Sequence, residues 1–275
     1  MTRKKIRWLT ALGCLLLLLA GLFTAMALWD GVVFPAADGD TKKDGSLTVD
    51  CSHMDQGYIM VKASSSSKKY KLRIAKGKST LTYDLNSDGE YEVFPLQLGS
   101  GKYTVSLYKN AKGKKYSQEG TVKLKVELTD EMAAFLCPNQ YVNYDENTAA
   151  VALSDELCEG LTTETEKFEA IRSYMATNFV YDYIKAATVS SGTMPDIDGT
   201  LESKQGICQD LSALSCCMLR VQGIHAEFAV GYADKQYHAW VIVYLDGDTK
   251  GQLYDPTAEL NGIASGSKYT LERYY

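Results

Sequence analysis

Residues 47–128 alternate apolar and polar positions in short runs. Tyr58 and Met60, Ile59, Val61 and Ala63, Tyr70, Leu72 and Ile74, Leu81, Tyr83 and Leu85, Tyr91 and Val93, Tyr103, Val105 and Leu107, and Val122, Leu124, Val126 and Leu128 all repeat with a period of two. That period marks strands with one buried face. The clusters Ser64-Ser65-Ser66-Ser67, Asn86-Ser87-Asp88-Gly89 and Asn110-Ala111-Lys112-Gly113 separate them as turns. Further on the period changes. Thr163 and Glu166 form a capping box, and Phe168, Ile171, Tyr174, Met175 and Phe179 follow at helical spacing. Leu211, Leu214, Met218 and Leu219 predict a second helix, opened by Cys208. Residues 226–232, 238–245 and 252–255 read as strands, the middle one β-branched and aromatic.

This order divides the chain. About seven short strands over 47–128 predict an antiparallel, all-β sandwich of immunoglobulin-like type, and Gly101-Lys102-Tyr103-Thr104-Val105 resembles the strand of such domains that carries a corner tyrosine. Helix first and antiparallel strands after predict an α+β domain over 129–275, with the polar stretch 190–204 beside its functional site. Residues 1–29 carry Arg3, Lys4, Lys5 and Arg7 and then an uncharged apolar run. About twenty such residues span a bilayer, and the basic flank places the bulk of the chain outside. The segment is expected to stay as a single-pass anchor, or to be cleaved as a signal after Ala25-Met26-Ala27 with secretion of the rest. Within it Cys14 reads as an ordinary membrane residue, and residues 30–46 read as a tether.

Composition narrows the function. A net charge of -5 and a pI near 5.4 exclude a nucleic-acid partner, and roughly 240 residues beyond the apolar segment suffice for two cores. The seven cysteines lack the spacing of a disulfide scaffold. Cys137 with Cys158 is the one pair to consider, and Cys216 with Cys217 read as buried thiols. Asp84-Leu85-Asn86-Ser87-Asp88-Gly89 matches the start of a calcium loop, but Pro95 stands where the bidentate carboxylate belongs, so it reads as a turn. Asp196 and Asp198 read as solvated loop carboxylates. No metal and no cofactor is expected.

The chemistry centres on Cys208. Glycine before a cysteine that opens a helix places the sulfur among unpaired backbone N–H groups at the positive end of the helix dipole, where a thiolate is favoured. Of three histidines, His53 lies in the β-rich region and His225 beyond the far end of the helix, whereas His238 opens a strand. Asp246-Gly247 signals a two-residue hairpin turn, and a regular hairpin centred there pairs His238 with Asp255. Thiolate, imidazole and carboxylate are the parts of an activated nucleophile. The backbone N–H of Cys208 is a natural oxyanion donor, with Gln205 or Gln209 as candidate side-chain donors. Trp240, on the strand face of His238, either walls the site or belongs to the core.

Gly206-Ile207-Cys208-Gln209-Asp210, Arg220-Val221-Gln222-Gly223-Ile224, Val230-Gly231-Tyr232, His238-Ala239-Trp240 and Tyr254-Asp255-Pro256-Thr257 together resemble the transglutaminase-like superfamily in order and spacing. The likeness extends loosely back to Cys137. It departs from the usual pattern at Leu253-Tyr254, where tryptophan commonly precedes the aspartate, and at His225, where proline is usual. The resemblance implies a cysteine-protease-like fold and an extracellular acyl-transfer enzyme with a Cys208–His238–Asp255 triad. Its substrate is a peptide or protein amide, cell-wall peptide included, and its reaction hydrolysis or transamidation. The alternative is a surface-displayed, non-catalytic protein-binding module on the same fold.

Overall fold

Strand β1 (Thr41–Asp44) pairs antiparallel with β2 (Leu47–Asp50), then β2 with β3 (Tyr58–Ala63). Strands β4 (Tyr70–Lys76) and β5 (Ser79–Leu85) form a hairpin in a second sheet, and β6 (Glu92–Pro95) returns to pair with β3. The long hairpin β7 (Gly101–Lys112) and β8 (Lys115–Val126) completes the second sheet through β4. The result is two four-stranded antiparallel sheets, ordered β1-β2-β3-β6 and β5-β4-β7-β8. The period-two pattern explains their burial: Leu47, Val49, Ile59 and Val61 on one sheet and Leu72, Ile74, Val105 and Leu107 on the other are all buried. Each such side chain contributes about 2 kcal/mol. Tyr83 of β5 packs edge-on against Phe94 of β6 at 5.2 Å between ring centroids, a contact between the sheets. The Tyr103 hydroxyl reaches the carbonyls of Leu96 (3.0 Å) and Gly99 (2.8 Å), binding the start of β7 to the chain before it.

The computed structural model describes residues 32–261 and 267–275. The expected anchor or signal over 1–29, with Cys14, lies outside the described residues. Among the described residues no helix is long and apolar enough to cross a membrane. The stretch expected to be a tether already contains β1, whose backbone pairs with β2 across Gly45-Ser46.

After β8 the chain turns helical. Helices α1 (Ala149–Cys158) and α2 (Glu164–Asn178) are followed by β9 (Val180–Tyr181), α3 (Tyr183–Thr188), α4 (Ile197–Ser203) and β10 (Gln205–Gly206), and then by α5 (Cys208–Arg220). The capping box is present at α2: Thr163 Oγ1 accepts the Glu166 N–H at 3.2 Å, and the Glu166 carboxylate accepts the Thr163 N–H at 3.1 Å. Asp196 and Asp198 are exposed to solvent, as expected, and each also satisfies a helix start. Asp196 caps α4 through the Gly199 N–H, and Asp198 accepts the Ala149 N–H at the start of α1, because helix N-termini leave donors that short carboxylates satisfy.

Strands β11 (His225–Ala233), β12 (Gln236–Tyr244), β13 (Gln252–Tyr254) and β14 (Tyr269–Tyr274), with helix α6 (Pro256–Leu260) between the last two, form an antiparallel sheet ordered β13-β12-β11-β14. Helix α5 lies against β11 and β12 and is covered by α1, α2, α4 and α6. Every residue from Asp210 to Arg220 is buried. Arg220, fully buried at the C-terminal end of α5, donates to the carbonyls of Cys137, Ala226 and Tyr275 and so ties helix, sheet and last strand together. β11 and β14 approach so closely that a Cβ on Gly231 would lie 2.1 Å from the Thr270 carbonyl oxygen. All six described cysteines are free thiols, Cys137 and Cys158 included. Burial pushes Cys216 and Cys137 up to about 12.

Candidate active site

Cys208 is the first residue of α5 and is half-buried, the only described cysteine not fully buried. Gly206 permits the turn into this helix: a Cβ there would press on Asp210 Cβ at 2.9 Å and Thr200 Cγ2 at 3.1 Å. One turn into the helix, the fully buried Asp210 turns back. Its Oδ2 accepts the Ile207 N–H at 3.0 Å and pairs with Lys185 Nζ of α3 at 2.7 Å, locking the residues that frame the cysteine. A half-buried sulfur at a helix start lies where anions are favoured.

His238 lies near the start of β12, and its Nε2 donates to Asp255 Oδ2 at 2.8 Å. The Cys208 sulfur acts on the ring as well, and with Nε2 on Asp255, Nδ1 is the nitrogen left to meet it. Asp255 caps α6. Its Oδ1 accepts the Thr257 and Ala258 N–H groups, both at 3.0 Å, and its Oδ2 also accepts the Tyr269 hydroxyl at 2.6 Å. Burial opposes charge on the imidazole, but the Asp255 hydrogen bond, the Cys208 contact and the carboxylate charge outweigh it and raise His238 from 6.5 to about 9. Burial likewise pushes Asp255 up, and the bonds from His238 and Tyr269 more than reverse that, holding it below its ordinary value.

The pair forms, but not through the expected register. β12 and β13 pair Val241 with Tyr254 and Val243 with Gln252, two positions away from a hairpin centred on Asp246-Gly247. The connection is wider because Asp246, Gly247 and Gly251 all take positive φ. On this register Asp255, one residue past β13, faces Trp240, and it meets His238 diagonally. An even shift preserves the strand face, so the imidazole and carboxylate still converge.

The remaining expected residues divide. Gln205 is exposed on β10 and lines no cavity at the cysteine; Gln209 does, but its amide donates to the Thr193 carbonyl at 3.0 Å. Trp240 is buried, with its ring 6.5 Å from that of His238 and 5.1 Å from that of Tyr269, so it backs the imidazole from the core. His53 and His225 pair instead with Asp38 and Asp130, each at 2.7 Å. Two cavities flank His238. One of about 310 Å³ opens on Cys208 between residues 191–194 and the aromatic side chains Tyr141, Phe228, Tyr237 and Tyr275. The other, about 490 Å³, adjoins Asp255 with Tyr181, Tyr183 and Tyr269. Tyr269, Lys185 and Arg273 were not singled out by the sequence. The alternation of Tyr269, Leu271 and Arg273 after a Gly/Ser-rich stretch was the signal for the last strand.

Comparison with known proteins bears on this arrangement. No curated protein matches the chain. A solved structure described as a "Putative Cysteine Protease from Cytophaga hutchinsonii" aligns at 16% identity over 79% of this chain and 91% of that one, with a TM-score of 0.40. Another, a "Putative Protease from Parabacteroides distasonis", aligns at 19% identity over 57% of this chain and 37% of that one, with a TM-score of 0.36. Residues 151–251 match the family described as the transglutaminase-like superfamily. The match holds Cys208 and His238 and stops four residues short of Asp255. The helices and sheet that carry the cysteine and histidine are thus the core of a transglutaminase-like domain.

Proposed function

We propose that this protein is an extracellular cysteine-dependent acyl-transfer enzyme acting on peptide or protein amides. The observation that carries the reading is Cys208 at the start of α5 sharing a cavity with His238, whose imidazole is hydrogen-bonded to Asp255. In the first half-reaction Cys208 sulfur attacks the amide carbonyl, and the His238 imidazolium delivers its proton to the departing amine, leaving a thioester. In the second, His238 takes a proton from water or from an amine as that nucleophile attacks the thioester, and the proton returns to the cysteine sulfur. Asp255 holds the imidazole tautomer throughout. As the first residue of α5, Cys208 presents a backbone N–H with no partner inside the helix, suited to the oxyanion. The basic-then-apolar start of the chain supports an extracellular location, by anchor or by secretion. Sheet orders β1-β2-β3-β6 and β5-β4-β7-β8 and the Tyr103 hydroxyl bonds support reading 47–128 as an immunoglobulin-like sandwich.

The test is iodoacetamide labelling of the full-length chain, mapped by mass spectrometry, with Cys208→Ala and His238→Ala beside wild type. Exposure alone would make Cys208 label ahead of the buried thiols, so the dependence on His238 decides. At least a tenfold slowing in His238→Ala is expected. Equal rates in wild type and His238→Ala sink the enzyme reading and leave the protein-binding module.

A further inference from the structure

The cavity that opens on Cys208 carries one sign of charge. Arg273 and His238 are the basic residues of its lining, and no Asp or Glu side chain lines it, although the chain as a whole is acidic. The cavity beside Asp255 differs: Asp234 and Lys235 give it both signs. Arg273 stands on β14 opposite Val230 of β11, with its side chain 53% exposed. Tyr275 and Tyr237 line the cavity beside it and interact with its guanidinium. The carboxylate nearest to it, Glu272, is 3.5 Å away, partly exposed and outside the lining. An exposed pair of this kind is weak, so the guanidinium keeps donors to offer. Tyr141 stacks on Tyr275 at 4.1 Å and on Phe228 at 5.6 Å, which gives the cavity a rigid aromatic wall beside the cation.

We infer that the Cys208 cavity is a subsite for a carboxylate carried by the substrate within about a residue of the reacting carbonyl, with Arg273 as its anchor. The inference rests on the acyl-transfer reading above and specifies its substrate as an acidic peptide. A guanidinium meets a carboxylate through paired N–H donors, and a neutral group there would leave those donors to water.

Three thiol reagents of nearly equal size test it on the full-length chain: bromoacetyl-glutamate amide, bromoacetyl-glutamine with a free carboxyl terminus, and neutral bromoacetyl-glutamine amide. The expected result is that one or both acids alkylate Cys208 about tenfold faster than the neutral reagent. The faster acid tells whether a side-chain or a terminal carboxylate is preferred. In Arg273→Gln the ratio falls to within about twofold, and in Arg273→Glu it inverts. His238 attracts anions equally in all three proteins, so the change in ratio belongs to Arg273. A wild-type ratio near one, or the same ratio in wild type, Arg273→Gln and Arg273→Glu, overturns the inference. Failure of the acyl-transfer reading looks different: the neutral reagent then shows no dependence on His238.

Discussion

Replacing Asp255 with asparagine separates the two tasks of one carboxylate. Oδ1 holds the Thr257 and Ala258 N–H groups, and Oδ2 holds His238 and Tyr269. Asparagine has one carbonyl oxygen. Kept on the helix cap, it turns an NH2 group toward two partners that donate in the wild type, so His238 either loses its bond or moves its proton to Nδ1, the nitrogen facing Cys208. The stability at stake follows from the imidazole, raised from 6.5 to about 9. At about 1.36 kcal/mol per pH unit that is roughly 3 kcal/mol, a ceiling because Cys208 supplies part of it and the ring keeps some solvent. Folding raises this pKa, so the stabilisation is fully present below pH 6.5 and fades as the pH climbs through about 9. Asp255, held below 3.8, contributes above that pH and is lost in acid. It is the same bond seen from the other partner and is not added. Denaturant unfolding of the full-length chain in mild detergent, from pH 6 to 9.5, should therefore show wild type losing about 2 kcal/mol more than Asp255→Asn. Cys208 alkylation at neutral pH should drop at least tenfold in the variant. Parallel stability profiles would show that Asp255 does not hold the imidazolium, and the reasoning fails.

Tyr269→Phe removes one donor from Asp255, so stability should fall by about 1 kcal/mol and the less satisfied carboxylate should raise His238 further, as read by imidazole NMR titration. A downward move would contradict the geometry. Lys185→Ala leaves the fully buried Asp210 without its cation and should cost about 2–4 kcal/mol in urea, most of it recovered in an Asp210→Asn background. Equal costs in both backgrounds would deny the pairing. Thr163→Ala removes the cap of α2 and should cost about 1 kcal/mol, lowering Tm by about 2–4 °C, while Thr163→Ser should keep most of both.

Where one physical rule governs a stretch, the sequence was legible. Period-two alternation located β3 to β8 because each has one buried face, and the Thr163/Glu166 box fixed the start of α2 to the residue. Cys208 was readable because glycine, cysteine and an apolar helix coincide. The register of β12 and β13 was not, since it depends on the φ values of Asp246, Gly247 and Gly251. The His238–Asp255 pair nevertheless forms, since an even slip keeps the strand face. Asp196 and Asp198 are solvated as read, but their capping of α4 and α1 was not legible, because tertiary packing brings the start of α1 to Asp198. Arg273 and Tyr269 escaped for the same reason: their strand joins β11 across a long sequence separation, and nothing local marks its cavity face.

The two β-sheets do more than precede the site. Tyr275 is held on one side by the Phe228 N–H at 2.9 Å and by Arg220 at 2.8 Å, the arginine that ends the same helix Cys208 begins. On the other side Tyr83 of β5 meets the Tyr275 ring edge-on at 6.2 Å, and Gln97, just after β6, donates to the Tyr274 carbonyl. Tyr275 and Tyr141, stacked together, are a wall of the Cys208 cavity. That wall is therefore fixed from two directions, by the nucleophile's own helix and by the sheets. Interiors packed at such density transmit displacement instead of absorbing it, so the sheets set the width of the cavity in which Arg273 and Cys208 would meet a substrate. The β-rich half thus braces one wall of the site from behind, through Tyr83 and Gln97.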